Sequence, residues 1–264
     1  MTAYPNALRD TATMLRRSIV HIRRYPSLIF FIAGIPVLFL LLFVYVFGGT
    51  LGNGLGGPAG GRAAYLAYVI PGILLMAAAG GGQGIAISVA MDMHEGIVAR
   101  FRTMAIARGA ILVGHVIAAM IQTGIAAVVV LAVALLIGFR PTTGPIEWLG
   151  AVGLLALVTL AITWLSAALG LAAGSVETAS NTPMFLTILP FLGSGFVPTA
   201  TMPEPLRWFA EHQPFTPIIE TLRGLLFETP IGDSGWTAVA WCVAITIGGF
   251  LWARRLYERD PAHR

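Results

Sequence analysis

The chain has 264 residues, of which 57% are hydrophobic and 11% are charged. Because about a quarter of the residues in a soluble domain are charged, this composition indicates a membrane protein. All sixteen basic residues are arginine. A phosphate-binding P-loop, a Schiff-base enzyme and a Ser–Lys enzyme each require lysine, so all three are excluded. The single cysteine, Cys242, provides neither a disulfide framework nor a thiolate cluster, and we expect no metal site.

Six stretches without a charged residue divide the chain, and each is long enough to hold a membrane-spanning helix of about 20 residues. They are Tyr25–Gly61, Ala63–Met91, Gly109–Phe139, Trp148–Val176, Thr178–Pro203 and Ser234–Ala253. Several runs are apolar on every helix face, whereas the strands of a membrane β-barrel alternate strictly. We therefore predict an all-α membrane protein whose six transmembrane helices lie within residues 27–253.

Arginine is distributed unequally between the loops that join these predicted spans. Twelve arginines lie in the N-terminal segment, in the loop after the second span and in the tail 254–264, against four in the alternate loops. The positive-inside rule therefore predicts that both termini are cytoplasmic. Residues 1–26 combine five arginines with apolar residues at spacings of three, four and seven, which predicts an amphipathic helix in the membrane interface.

Two connections on the predicted outer side have distinct patterns. The glycine-rich stretch Gly48–Arg62 predicts a flexible loop. Residues 201–230 contain two short helical patterns, Glu204–His212 and Pro217–Phe227, which predict an outer helical hairpin folded against the ends of the spans. Glu220 and Arg223 lie three residues apart in it, and we predict that they pair on its surface.

A charged island, residues 92–108, lies between the second and third spans. It interleaves Glu95, Arg100 and Arg102 with bulky apolar residues that include Phe101. One interpretation is an interfacial helix that only orients the protein. The other is a docking helix for a cytoplasmic protein, because arginine and aromatic residues are favoured anchors of protein interfaces.

Three stretches together resemble the permease subunits of ATP-binding-cassette type-2 exporters, most closely the daunorubicin-resistance type that exports drugs and lipids. They are the arginine-rich N-terminal helix, EGIVARFRTMAIARGAILVGHVIA after the second span and SGFVPTATMPEPLRWFAEHQPFTPIIETLRGLL after the fifth. The resemblance covers nearly the whole chain. The sequence departs from the family at Ala105–Arg108, where such permeases often carry a proline-containing turn.

The resemblance implies that residues 92–108 form a cytoplasmic coupling helix. In it, Glu95, Arg100, Phe101 and Arg102 would contact a separate ATP-binding subunit, which would hold ATP and Mg. It further implies that this chain has no catalytic residues and binds no cofactor itself. Two permease subunits, identical or paralogous, would enclose a path for an amphipathic drug or lipid-like compound across the bacterial inner membrane. Membrane lipid is a further expected partner, and nucleic acid is not.

Polar and aromatic residues inside the spans are the candidates for this path, because polar groups are costly there. The candidate lining consists of Gln83, Phe185, Phe191 and Phe196. The alternative for Gln83 is close helix packing, and the alternative for the phenylalanines is contact with lipid. Pro183 and Pro190 predict breaks in the fifth span. His115 is either a helix-end residue or a proton relay. Glu177 is either a solvated turn residue or a contact with the ATPase. An aromatic belt at the outer boundary is predicted from Tyr65, Trp148, Trp208 and Trp236.

Three other functions are weighed against the drug or lipid exporter. A permease for polysaccharide or lipid-linked glycan in the same superfamily would share the coupling helix. A secondary transporter would work without an ATPase and would show buried carboxylates or an inverted repeat, neither of which we find in the sequence. An intramembrane serine protease built on Ser194 would require a histidine at membrane depth, whereas His212 lies in the predicted outer hairpin.

Overall fold

The computed structural model describes residues 26–56, 61–94 and 110–258. The long helices are α1 (Pro26–Leu42), α3 (Arg62–His94), α4 (Ala110–Leu136), α5 (Pro145–Ala172) and α10 (Ser234–Glu258). The short helices are α2 (Gly48–Gly56), α6 (Val176–Asn181), α7 (Met184–Ile188), α8 (Glu204–His212) and α9 (Phe215–Phe227). A π-helical turn, Phe43–Phe47, joins α1 to α2. The predicted all-α fold is confirmed across these ranges, whereas the predicted N-terminal amphipathic helix and coupling helix lie outside the described residues.

Five stretches are long and apolar enough to cross a membrane. They are Ile32–Gly54, Arg62–His94, Leu112–Leu136, Pro145–Ala172 and Ser234–Glu258. Each has between 23 and 33 residues, against the roughly 20 that a crossing requires. The chain is therefore a multi-pass membrane protein, and these helices correspond to the first four predicted spans and the last.

The predicted fifth span, Thr178–Pro203, is not a continuous helix. Helix α6 ends at Asn181, α7 has only five residues, and a 3-10 turn follows at Leu189–Leu192. Pro183 immediately precedes α7, and Pro190 lies in the 3-10 turn. A proline lacks the N–H that a helix interior requires, so the breaks predicted at these two residues are confirmed. Of the six predicted spans, five are therefore helices of spanning length.

Helix α3 lies at the centre of the bundle, where it packs against α1, α4 and α5. It is antiparallel to α4, because Gly81 faces Thr123 and Asp92 contacts His115. We call the end of the bundle at Arg62 the hairpin end, since α8 and α9 also lie there. The other end, at which residues 95–109 connect α3 to α4, is called the loop end.

Two clusters of buried apolar side chains fill the bundle. The cluster toward the hairpin end includes Tyr65, Ile70, Ile73, Ile219 and Leu222. The cluster toward the loop end includes Ile85, Val89, Leu112, Leu171 and Tyr257. Both join α3 to helices that are distant in sequence, so the packing of α3 determines how the rest of the bundle is arranged.

The prediction of a flexible loop is wrong for Gly48–Gly56, which forms α2. Glycine is a poor helix former, but this helix continues from an apolar span and packs against the start of α3. A Cβ atom at Gly52 would lie 2.1 Å from the carbonyl oxygen of Gly61. Glycine therefore permits a backbone contact that outweighs its low helix propensity.

The two short helices α8 and α9 lie where the sequence predicts them. Helix α8 has the predicted bounds, and α9 begins at Phe215, two residues before the predicted start. Helix α9 buries an apolar face against α3, α5 and α10. It ends at Phe227, and the next residue, Glu228, has a left-handed backbone with a φ of 52°, which terminates the helix. Helix α9 is thus part of the packed bundle, whereas every residue of α8 except Ala210 is exposed.

Candidate transport path and coupling site

The interrupted segment, which comprises α6, α7, the 3-10 turn and the following residues as far as Phe196, lies along α3. Toward the loop end, Nε2 of Gln83 donates to the carbonyl oxygen of Ser180 at 2.8 Å. Toward the hairpin end, the hydroxyl of Tyr65 donates to the carbonyl oxygen of Phe196 at 3.2 Å. The two α3 residues are eighteen positions apart, which corresponds to about 27 Å of helix. The segment therefore lies beside α3 over more than half of the length of α3.

Tyr65 was predicted to belong to an aromatic belt at the membrane boundary, and this prediction is wrong. Its side chain is completely buried. Its ring lies in the apolar cluster toward the hairpin end, and its hydroxyl supplies the donor that the carbonyl group of Phe196 requires. Trp208 and Trp236, by contrast, are largely exposed at the hairpin end.

Two of the three candidate path phenylalanines lie together. The rings of Phe191 and Phe196 stack with their centroids 4.3 Å apart. The ring centroid of Phe43 lies 4.7 Å from that of Phe196, and the ring centroid of Phe39 lies 5.7 Å from that of Phe191. We call these four residues the aromatic cluster. Phe185 is not among these ring contacts and is about half exposed, at 47%. Sequence reasoning missed Phe39 and Phe43, although their spacing of four residues places them on one face of a helix.

Arg223 points into the protein, and the predicted surface pair with Glu220 is wrong. One terminal nitrogen, Nη2, donates to the carbonyl oxygen of Ser194 at 2.7 Å and to that of Tyr68 at 3.3 Å. The guanidinium also lies 3.9 Å from the centroid of the Tyr68 ring. Glu220 instead accepts a hydrogen bond of 3.0 Å from the hydroxyl of Ser234. The broken backbone at Ser194 competes successfully for Arg223 because its carbonyl group has no helical donor.

The environment of Arg223 is polar but incompletely paired. Burial lowers the pKa of its guanidinium, and the nearby Tyr68 and Glu220 act in the opposite direction. The group still remains charged, because arginine does not lose its proton in proteins. Within the described part of the chain, Nε of Arg223, Oγ of Ser194 and Oε1 of Gln213 are buried without a hydrogen-bond partner. Such atoms raise the free energy of the packed arrangement, since water would satisfy them.

Ser194 and His212 have structural contacts that differ from those of a catalytic pair. Ser194 is buried, and its backbone N–H donates to the hydroxyl of Thr216 at 3.4 Å. His212 is exposed, and its Nδ1 lies 2.8 Å from the carbonyl oxygen of Trp208 on its own helix. This geometry gives the serine-protease alternative no support.

The glycines before Gln83 allow three helices to approach closely. A Cβ atom at Gly81 would lie 2.2 Å from the hydroxyl oxygen of Thr123 on α4, and one at Gly82 would lie 2.7 Å from that of Ser166 on α5. Neither hydroxyl has a conventional hydrogen-bond partner among the described residues, but each faces a glycine Cα–H group, which is a weak donor. The close-packing interpretation is therefore confirmed for Gly81 and Gly82.

A charged contact joins α3 to α4 at the loop end. Nε2 of His115 lies 2.8 Å from Oδ2 of Asp92, and only 8% of Asp92 is exposed. Asp92 lies in the last turn of α3, whereas the sequence suggested that it begins the next helix. His115 thus has a carboxylate partner that neither predicted interpretation included. Glu177 is exposed in the first turn of α6, where a negative charge is favourable.

The residues predicted to contact an ATPase, Glu95, Arg100, Phe101 and Arg102, lie outside the described residues. The structure does describe the two helix ends on either side of residues 95–109, and Asp92 and His115 join these ends. Residues 9–227, which include the predicted coupling helix, the interrupted segment and both hairpin helices, match the sequence profile of the ABC-2 type transporter family.

The chain belongs to the ABC-2 type transporter family. This ABC-2 transporter is 27% identical over 266 residues to the daunorubicin resistance ABC transporter permease protein DrrB1 of Streptomyces coeruleorubidus, a match that covers 99% of this chain and 90% of that protein. It is 26% identical over 203 residues to the probable doxorubicin resistance ABC transporter permease protein DrrC of Mycobacterium tuberculosis, in strains CDC 1551 and H37Rv, covering 74% of this chain and 71% of that protein. The predicted resemblance is confirmed.

Proposed function

We propose that this chain is the transmembrane permease subunit of an ATP-driven exporter, which moves an amphipathic drug or lipid-like compound out of the cytoplasm or the inner leaflet. The observation that carries the proposal is the match of nearly the whole chain to a daunorubicin resistance permease. Because the chain has no lysine, it cannot form a P-loop. ATP and Mg would therefore bind to a separate ATP-binding-cassette subunit.

In this proposal the chain lies in the bacterial inner membrane with both termini in the cytoplasm. The interrupted segment is the sixth crossing, which an arrangement with both termini on one side requires. Its contacts with Gln83 and Tyr65 support this, because the roughly 27 Å between those residues is close to the hydrocarbon thickness of about 30 Å. The loop end would face the cytoplasm, and α8 and α9 would form the outer hairpin.

The aromatic cluster is the proposed contact surface for the substrate. Phe191 is partly exposed and stacks on the buried Phe196, so a flat apolar ring system could add to the same stack. A second permease, identical or paralogous, would close the other side of the path. Gln83 and Phe185 would lie nearer the loop end of the path, the former beside Ser180.

The outer hairpin is the proposed exit gate. Arg223 joins α9 to the interrupted segment at Ser194 and to α3 at Tyr68. When the hairpin separates from the segment, water could reach the unpaired Ser194 and Gln213 atoms, which offsets part of the free energy of opening. A contact that is stable but incompletely paired suits a gate that must open in each transport cycle.

The charged island, residues 92–108, is the proposed coupling site. Glu95, Arg100, Phe101 and Arg102 would seat in a groove of the ATP-binding subunit, with Phe101 as the apolar anchor and the charged residues around it. Movement of the ATP-binding subunits would then be passed to α3 and α4, because residues 95–109 connect these two helices in the chain.

Transport into inside-out vesicles tests the proposed function. Vesicles would contain this chain together with the ATP-binding subunit that co-purifies with it, and fluorescent doxorubicin would serve as the probe. We expect accumulation that requires both ATP and this chain, and that stops when a catalytic residue of the ATP-binding subunit is inactivated. Accumulation that continues unchanged without ATP would contradict the proposal and would indicate a secondary transporter.

A further inference from the structure

We propose that Asp92 and His115 form a clasp that holds the two ends of the coupling loop together and passes its movement to the membrane helices. The inference rests on the proposed function, since it names the route by which the loop acts on the spans. Asp92 lies three residues before the loop and His115 six residues after it. Their side chains meet at 2.8 Å, so the pair closes the base of the loop.

The burial of the clasp makes it a strong contact. The side chains of His115 and Asp92 are only 18% and 11% exposed. Val89 and Leu112, each three residues before a member of the clasp, are buried in the loop-end cluster. Limited access of water reduces the competition for a hydrogen bond between such side chains. The two helix ends are therefore expected to move together.

Helix α3 links the clasp to the proposed path and gate. From Asp92 it continues to Gln83, which holds the start of the interrupted segment, and then to Tyr68 and Tyr65 beside Arg223 and Phe196. A packed helix transmits a displacement along its axis because its hydrogen bonds keep its length nearly constant. Without the clasp, less of a force applied at residues 95–109 would be passed to α3 and α4. Asp92 and His115 are thus positioning residues for coupling.

The ratio of transport to ATP hydrolysis tests the clasp. The near-isosteric variants Asp92→Asn and His115→Gln would be purified with the ATP-binding subunit, and both activities would be measured in the same proteoliposomes with doxorubicin. We expect assembly and ATP hydrolysis to stay within about twofold of the unaltered complex, while doxorubicin transported per ATP falls by about tenfold, a usual size for coupling between separate sites. The exchanged pair Asp92→His with His115→Asp should restore at least half of the ratio.

The control variant is Glu258→Gln, which removes the exposed ion pair with Arg254 near the same end of the bundle. It should leave the ratio unchanged, because exposed pairs contribute little. An unchanged ratio in both clasp variants would overturn the clasp, as would a loss of hydrolysis and transport in equal proportion. If the unaltered complex hydrolyses ATP but never moves doxorubicin or a lipid, the proposed function fails instead.

Discussion

Replacing Arg223 with methionine should loosen the outer hairpin and destabilise the protein by about 3 kcal/mol. Hydrogen bonds to charged groups contribute about 1.5–3 kcal/mol each, and the variant loses two such bonds while leaving the carbonyl groups of Ser194 and Tyr68 without a donor. In thermal unfolding of the purified protein, this corresponds to a fall in Tm of about 6–12 °C for a chain of this size.

Hydrogen exchange locates the effect of this substitution. Amide exchange should increase in residues 189–196 and in α9, because Arg223 joins these two segments. The matched control is Arg207→Met, which removes an exposed arginine that pairs with Glu211 on α8. That variant should change stability by less than about 1 kcal/mol. Equal effects of the two substitutions would show that Arg223 does not hold the hairpin.

Replacing Gly170 with alanine should have a similarly large effect through the backbone. A Cβ atom at Gly170 would lie 2.5 Å from the carbonyl oxygen of Ala86, where α5 crosses α3. Backbone cannot rotate away as a side chain can, so we expect a loss near the upper end of the usual cost of overpacking, about 3 kcal/mol. The measurement is again the Tm of the purified protein.

Two further glycines provide the comparison for Gly170. The Cβ atom added by Gly153→Ala on the same helix would have no atom within 4 Å. This substitution should therefore leave Tm unchanged or raise it slightly. Gly81→Ala meets the hydroxyl of Thr123, and the second substitution Thr123→Ala should recover most of the loss. A Gly170→Ala protein as stable as Gly153→Ala would contradict the close α3–α5 crossing.

The predictions that were confirmed depend on local patterns. Five of the long apolar runs form helices of spanning length as predicted, whereas the sixth run, Thr178–Pro203, does not form one continuous helix. Pro183 and Pro190 each remove a backbone donor, and the predicted breaks beside them are observed, although Pro36 and Pro71 lie inside α1 and α3 without ending them. The hairpin helices are similarly visible in the spacing of the apolar residues of α8 and α9.

The predictions that were wrong or incomplete depend on contacts between distant residues. Arg223 was paired with Glu220 because the two are neighbours on one helix, whereas its partner Ser194 lies 29 residues away. The hydroxyl of Tyr65 donates to a carbonyl group 131 residues further along the chain. No local periodicity encodes such a contact, since it exists only after the interrupted segment has packed against α3. The contact between Asp92 and His115 escaped prediction for the same reason.

The helical stretch Gly48–Gly56 shows a second limit of local reasoning. Its glycine content favours a loop on propensity alone. The close approach of Gly52 to Gly61, which the sequence pattern does not reveal, allows the helix to pack instead. Tertiary contact therefore decided the structure where intrinsic preference was weak.

The central claim is that this chain works with a separate ATPase through its charged loop. The most direct test is purification of the tagged chain from its native membranes in mild detergent, followed by identification of the co-purified proteins by mass spectrometry. We predict recovery of a P-loop ATPase with the unaltered chain and its loss from a chain carrying Arg100→Glu and Phe101→Ala. Repeated recovery of the folded, unaltered chain without any ATPase would contradict the account.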